Sequence, residues 1–379
     1  MPYKLYSRTY NRYYQDKVEK VLTDVDHQGT FYFSRTYEDA PNPVLRLADL
    51  GTVGLPLSSR EAAAVIERCT QAPFGKGERT VVDKDVRDTW ELDGKQVAFD
   101  NPAWTQFIAQ AVQDVCRSLG VNFEASKPRC ELHKLLVYET GSHFLPHVDT
   151  EKHPSMFASL IVVLPTLFAG GDAHLSHGSQ STVLNSSRAS LAHTTVLAWY
   201  TDIMHEIKPI ERGYRLALSY NLIHTTTSIR PSLSANTAAL DQLRGILASW
   251  AQPKQGPDKI VYLLDHTYSK ANFSASALKG SDAHVIAMLD EVAKTLGFHL
   301  ALGHLVLTVR SSEYDYDRDA DIENIVDLEG SSLHSKSLSF DYEVETIPAE
   351  FVEELCEQAA DEEDHESYTG NVRHDESCP

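Results

Sequence analysis

The chain has 379 residues, 42% hydrophobic and 23% charged, which is ordinary for a globular protein with room for a substantial core in one elaborated domain or in two to three. Its 34 basic against 54 acidic residues give a formal charge of −20, and that weighs against a large nucleic-acid footprint, which needs clustered Lys and Arg. Five cysteines, far apart and without a CxxC, indicate neither a zinc site nor a disulfide framework but reduced thiols.

The N-terminus, Met1-Pro2-Tyr3-Lys4-Leu5-Tyr6, lacks the apolar core of a signal peptide, and no run approaches the ~18 apolar residues that span a bilayer. A cytoplasmic protein without a membrane anchor is expected, with the nucleus left open and the oligomeric state unspecified. Residues 1–45 are rich in Tyr, Asp and Arg without clear periodicity and read as a partly ordered arm. Ser58-Ser59-Arg60-Glu61 is a capping box, and Ala62, Val65, Ile66 and Cys69 follow at helical spacing. Gly75 and Gly77 open a polar stretch over 73–100 that carries Arg79, Asp83, Asp85, Arg87 and Trp90. A second helix takes Asn101 as its cap and Pro102 in its first turn, with Trp104, Phe107, Ile108, Ala111, Val112, Val115 and Leu119 on one face, and stops at Gly120.

From about 130 the period changes to two. Strands are expected over 132–138, 157–164, 195–200 and 215–223, separated by turn material such as Gly170-Gly171-Asp172 and Glu211-Arg212-Gly213. Many short strands with no long helix between them argue for an antiparallel sandwich or jelly roll. Beyond about 228 the pattern is α/β, with helices near 236–250 and 281–296, strands at 259–265 and 299–310, and a last helix near 348–360. That helix runs into an acidic tail that reads as a solvated terminus.

Within the strand-rich part, Pro146-His147-Val148-Asp149 places a His and an Asp two apart, so that on a strand both face one way. A third candidate ligand, His205, follows after about 55 residues, enough for four to five short strands. Two His and one carboxylate on one face of an ion leave the opposite positions open, the arrangement suited to Fe(II) and O2. Arg215, ten residues past His205, is a planar cation fitted to a carboxylate, and the ligand order with this base is that of a 2-oxoglutarate site. Tyr138 is a candidate second donor to the same carboxylate, with a plain core aromatic as its other reading. Ser219, four residues from Arg215, shares its strand face. Arg79, Arg87 and Lys134 are candidate substrate contacts, although arginines such as these two are more often surface charges than substrate clamps. His143, His153, His174 and His177 have no such support and are taken as surface or loop residues.

At these residues the chain resembles the prolyl 4-hydroxylase-like branch of the Fe(II)/2-oxoglutarate dioxygenases, in particular the fungal and bacterial proteins with that domain. The matching segments are 134–139, 146–152, 170–172, 199–206 and 213–215, which together span about 130–224, roughly a quarter of the chain. Weaker similarity touches 72–75, 86–87, 261–266 and 368–371. The resemblance implies a mixed α/β protein with a double-stranded β-helix (jelly-roll) core. It also implies His147, Asp149 and His205 as iron ligands, Arg215 for 2-oxoglutarate, O2 as oxidant and ascorbate as a candidate reductant. The organisation expected is an N-terminal arm, helices and lid-like loop over 1–125, the catalytic core over 126–226, and a C-terminal α/β region with its acidic tail over 227–379.

Collagen-type prolyl hydroxylases usually have Lys where Arg215 stands, so the collagen reaction is not carried over. Relatives continue past the Tyr368-Thr369-Gly370-Asn371 segment, and a shortened or divergent C-terminal lobe is therefore expected. Asp149 argues against a halogenase, in which that ligand is a small residue. The expected activity is oxidation of a C–H bond, most simply hydroxylation, with release of succinate and CO2. The substrate is a small molecule, an amino acid or a peptide, and the loops over 73–100 and 168–194 are expected to frame the mouth of the site. Two rivals stand beside this. One is a catalytically silent module that kept the fold for binding or regulation. The other is a cupin-like metalloenzyme that does not use 2-oxoglutarate.

Overall fold

A computed structural model describes residues 2–23, 29–76, 79–153, 155–178, 180–226, 237–251, 259–270, 273–312, 315–333, 338–339 and 346–347. Gly29–Thr225 forms one compact unit, and the described residues of Met1–Gln28 and Thr226–His365 form a second.

The first unit is mixed α/β and built on antiparallel sheets. Its strands include β1 (Tyr32–Tyr37), β2 (Trp90–Asp93), β3 (Arg129–Tyr138), β4 (Phe144–His147), β5 (Met156–Val163), β6 (Ala173–His177), β7 (Gln180–Leu184), β8 (Thr194–Tyr200), β9 (Met204–Ile207) and β10 (Arg215–Ile223). A seven-stranded sheet runs in the order β1-β8-β5-β10-β3-β2 and ends on Thr70–Gln71. A four-stranded sheet runs β4-β9-β6-β7. From β3 onward the chain shuttles between the two. β3, β5, β8 and β10 belong to the large sheet, and β4, β6, β7 and β9 to the small one.

Strand assignments around 132–138, 157–164, 195–200 and 215–223 hold, and β5, β8 and most of β10 are buried along their whole length. Two segments expected as loops each carry several short strands. Residues 168–194 supply β6 and β7, and 73–100 supplies β2 together with Phe74–Lys76, Arg79–Val81 and Val97–Phe99. Polar residues obscured them because these strands are short or half-exposed, where alternation is weak. For the same reason His174 and His177 lie half-buried on β6 rather than in a loop.

Helix α1 (Ser59–Ile66) has the expected capping box between Ser58 and Glu61, and helix α2 (Pro102–Ser118) has the Asn101 cap. The face of α2 bearing Trp104, Ala111, Val112 and Val115 is buried in the same apolar cluster as Leu160, Val162, Ala198, Leu216 and Leu218 of the large sheet. This leaves the alternate residues of those strands to face the other way.

In the second unit, Pro2–Thr23 is a helix, not an arm without periodicity. Val18, Val21 and Leu22 bury their side chains with Leu240, Leu243 and Leu247 of helix Thr237–Trp250 and with Val285, Met288 and Val292 of helix Gly280–Leu296. That apolar stripe is short and lies at the end of a polar, tyrosine-rich segment, and so gave little periodic signal. This unit also holds a hairpin of Leu302–Ser312 and Asp315–Val326, extended by Leu338–Ser339, and a parallel pair of Val261–Tyr262 with Thr346–Ile347. The helix expected near 348–360 and the segment 368–371 lie outside the described residues. No helix among the described residues is long and apolar enough to cross a membrane.

Candidate metal and 2-oxo acid site

Pairing in the small sheet sets His147 directly opposite His205, on neighbouring antiparallel strands β4 and β9. Their ring centroids lie 4.2 Å apart. Asp149 is not on the strand with His147. β4 ends at His147, and the backbone N–H of Asp149 donates to the Thr201 carbonyl at 3.1 Å, which turns the carboxylate in. One donor atom from each of His147, Asp149 and His205 lies within 4.8 Å of the other two.

Hydrogen bonds fix which atoms are offered. His147 Nδ1 is 2.8 Å from the Leu145 carbonyl, and His205 Nδ1 is 2.9 Å from the Ile203 carbonyl. A carbonyl only accepts, so in each ring Nδ1 carries the proton and Nε2 holds the free lone pair. Asp149 Oδ2 accepts from the Ser159 hydroxyl at 2.6 Å and from the Trp199 indole N–H at 3.2 Å. Asp149 Oδ1 is left 3.8 Å from His205 Nε2. A first-row divalent ion with bonds of ~2.1 Å holds neighbouring donors roughly 3 Å apart, so this pair of donors is within about an ångström of the spacing a shared ion would need. Burial first, then the proximity of His205, push His147 well below the usual histidine range, which favours the neutral imidazole. Burial raises the Asp149 carboxyl, but His205, His147, Ser159 and Trp199 together outweigh it and hold Asp149 below its ordinary value.

Directly paired residues of a sheet share a face. Ser159 pairs with Trp199 and with Asn221, and Ile161 pairs with Ser219. Arg215 pairs with Tyr138 and Ser219 with Lys134. The residues that hold Asp149 therefore share the inward face of the large sheet with Arg215, Tyr138, Ser219 and Lys134. Arg215 is 1% exposed, yet its Nε and Nη2 have no hydrogen-bond partner. Its guanidinium lies 5.1 Å from the Tyr138 ring centroid. Burial pulls Arg215 below the usual arginine range while Tyr138 opposes this. Gly171 (φ +68°) keeps the approach open: a Cβ there would meet Ile210 Cδ1 at 2.4 Å and Arg215 Cδ at 3.6 Å.

A cation buried without an anion is costly, so this arrangement fits a ligand carboxylate at Arg215. Of the proposed substrate contacts, Lys134 pairs with Glu91. Arg87 lies over the Phe144 ring, which stacks on His147. Arg79 is on the strand Arg79–Val81, and its side chain lies outside the described residues. Sequence reasoning missed Ser159, Trp199 and Phe144. Nothing in the alternation of their strands marks them, because their roles come from pairing across long sequence separations.

No protein-family model and no curated protein matches the chain. Solved structures to which it is similar include a Pseudomonas putida prolyl-4-hydroxylase, with 15% identity over 55% of this chain and 100% of that chain, at TM-score 0.33. A prolyl hydroxylase from Trichoplax adhaerens, in complex with a hypoxia inducible factor peptide fragment, shows 14% identity over 56% of this chain and 91% of its own, at TM-score 0.33. An oxidoreductase of the 2OG-Fe(II) oxygenase family from Burkholderia pseudomallei shows 16% identity over 55% and 90%, at TM-score 0.27. The likeness is distant, and what the site can do is read from its own side chains.

Proposed function

We propose that this chain is a non-haem Fe(II)- and 2-oxoglutarate-dependent oxygenase built on a double-stranded β-helix. In this reading His147, Asp149 and His205 hold the metal, and Arg215, with Tyr138 beside it, holds the distal carboxylate of 2-oxoglutarate. Ser219 lines the same inward face. The observation that carries the reading is the pairing of two incomplete half-sites, linked because Ser159 and Trp199, which hold Asp149, share the face of the large sheet that bears Arg215. One is a set of three donors, the buried His147 and His205 with Nε2 free and the half-buried Asp149 with Oδ1 turned toward them. The other is a buried guanidinium with two unpartnered nitrogens. An isolated metal site would not require the second.

When bound, Fe(II) and the 2-oxo acid together supply the activation of O2 and the oxidation of a C–H bond, with succinate and CO2 as co-products. The chain's own part is orientation and protection. The Leu145 and Ile203 carbonyls aim the imidazoles, Ser159 and Trp199 reserve one carboxylate oxygen for the metal, and the buried strands exclude water. The substrate, small molecule or peptide, enters on the open side, and ascorbate stands as a reductant.

Anaerobic addition of Fe(II) and 2-oxoglutarate tests this. A weak visible charge-transfer band should appear and should be lost in His205→Ala, and succinate should form once O2 is admitted. A metal-replete sample with neither band nor succinate refutes the proposal. A cupin-like enzyme without 2-oxoglutarate would instead keep its activity in Arg215→Ala.

A further inference from the structure

The proposed metal and 2-oxoglutarate contacts leave further cations beside the site unused. The Arg87 guanidinium lies 4.5 Å from the centroid of Phe144, whose ring stacks on His147 at 3.4 Å. Arg87 Nη1 donates to the Pro73 carbonyl at 2.6 Å, but its Nε is buried with no hydrogen-bond partner. The neighbouring Asp88 is engaged by Gln71 and Lys84. Lys152, three residues beyond Asp149, is exposed and has no ion pair among the described residues. Partial desolvation, then the like charges of Lys134 and Arg87, pull its ammonium below the usual lysine range, against Asp149 and Glu91. Of Arg87, Lys134 and Lys152, Lys134 alone has a carboxylate partner among the described residues, Glu91, which is 8% exposed.

A divalent metal together with Asp149, 2-oxoglutarate and Arg215 is formally neutral. Arg87, Lys134 and Lys152 against Glu91 then leave an excess of positive charge at the site, within a chain whose formal charge is −20. Cations kept together against their repulsion in an acidic protein concentrate and orient an anion. We propose that the substrate presents an anionic group, a carboxylate or a phosphate, to Arg87 and Lys152 beside the metal ligands His147 and Asp149. This deepens the oxygenase reading and rests on it.

The test uses the full chain loaded with Mn(II) and 2-oxoglutarate, with two probes, inorganic phosphate read by ³¹P relaxation and acetate read by methyl ¹H relaxation. Both nuclei report proximity to the paramagnetic ion, and neutral acetamide is the control. At least one anion should show saturable relaxation above acetamide, and the more tightly held anion names the group. Lys152→Gln, at an exposed position, should weaken that anion about threefold, and Arg87→Gln with Lys152→Gln about tenfold or more. Arg87→Lys should retain most of the binding, which separates charge from folding. Relaxation no greater than that of acetamide, or unchanged by Lys152→Gln and by the double substitution, overturns the proposal. Failure of the oxygenase reading looks different: Mn(II) electron resonance would then be the same with wild-type protein and with His205→Ala, and the substrate inference would fall with it.

Discussion

Arg215 and Tyr138 face each other directly across the β10–β3 ladder, the guanidinium carbon 5.1 Å from the ring centroid, with no carboxylate of the described residues paired to the cation. The protein holds a buried charge at a cost until a ligand meets it. Arg215→Met is therefore expected to raise the thermal stability of the ligand-free protein, by about 1–4 kcal/mol. The same substitution should weaken 2-oxoglutarate by about 2–5 kcal/mol. Calorimetric melts with and without 2-oxoglutarate check both signs. A variant that melts lower and binds the 2-oxo acid unchanged would show the arginine to be structural.

Trp199→Phe removes the indole N–H that Asp149 Oδ2 accepts while keeping an aromatic ring. Its expected effect is a loss of roughly 10–100-fold in metal affinity with little change in fold, because partners of the ligating groups fix their orientation. Ser159→Ala should act in the same direction, having the shorter bond. Competition titration against a chelator measures this.

Gly171→Ala puts a side chain at φ +68°, with its Cβ 2.4 Å from Ile210 Cδ1. Strain and displacement of a buried isoleucine should cost about 1–3 kcal/mol in unfolding free energy. The displaced Ile210 then crowds Arg215, so 2-oxoglutarate binding should fall as well. Denaturant unfolding combined with ligand titration separates the two effects.

Asp282 gives the second unit a pH dependence of known sign. Burial raises its carboxyl to about 6, although His266, the backbone N–H groups of Asp265 and His266 and the Tyr268 hydroxyl all favour the anion. Between about pH 4 and 6 the unfolded chain has released a proton that the folded chain keeps, so this group's contribution to stability falls as pH rises through that window. The stability of Asp282→Asn relative to the wild type should rise by about 3 kcal/mol from pH 4 to pH 6 and be independent of pH below and above that window. Parallel melts from pH 4 to 7 check the difference.

The local rules were legible where a segment carries its own signal. Ser58 and Glu61, Asn101 and Pro102, and the bounds of β5, β8 and β10 follow from capping chemistry and from runs of buried residues. The N-terminal helix was not legible, because the only buried apolar residues among its described side chains are Val18, Val21 and Leu22, at one end of a polar segment. The expectation that His147 and Asp149 share a strand also failed. The ladder stops at His147, and the bond to Thr201, not strand periodicity, orients Asp149.

By itself the sequence determined the donor types, their order along the chain and the strands that carry Tyr138 and Arg215, because side-chain chemistry and a period of two are local properties. Only the tertiary structure decided that His147 stands opposite His205, that Ser159 and Trp199 hold one oxygen of Asp149, and that Arg215 is buried without an anion. These are consequences of strand register between segments some ten to eighty residues apart. Register is set by how whole faces pack against one another, and no short stretch of sequence contains that information.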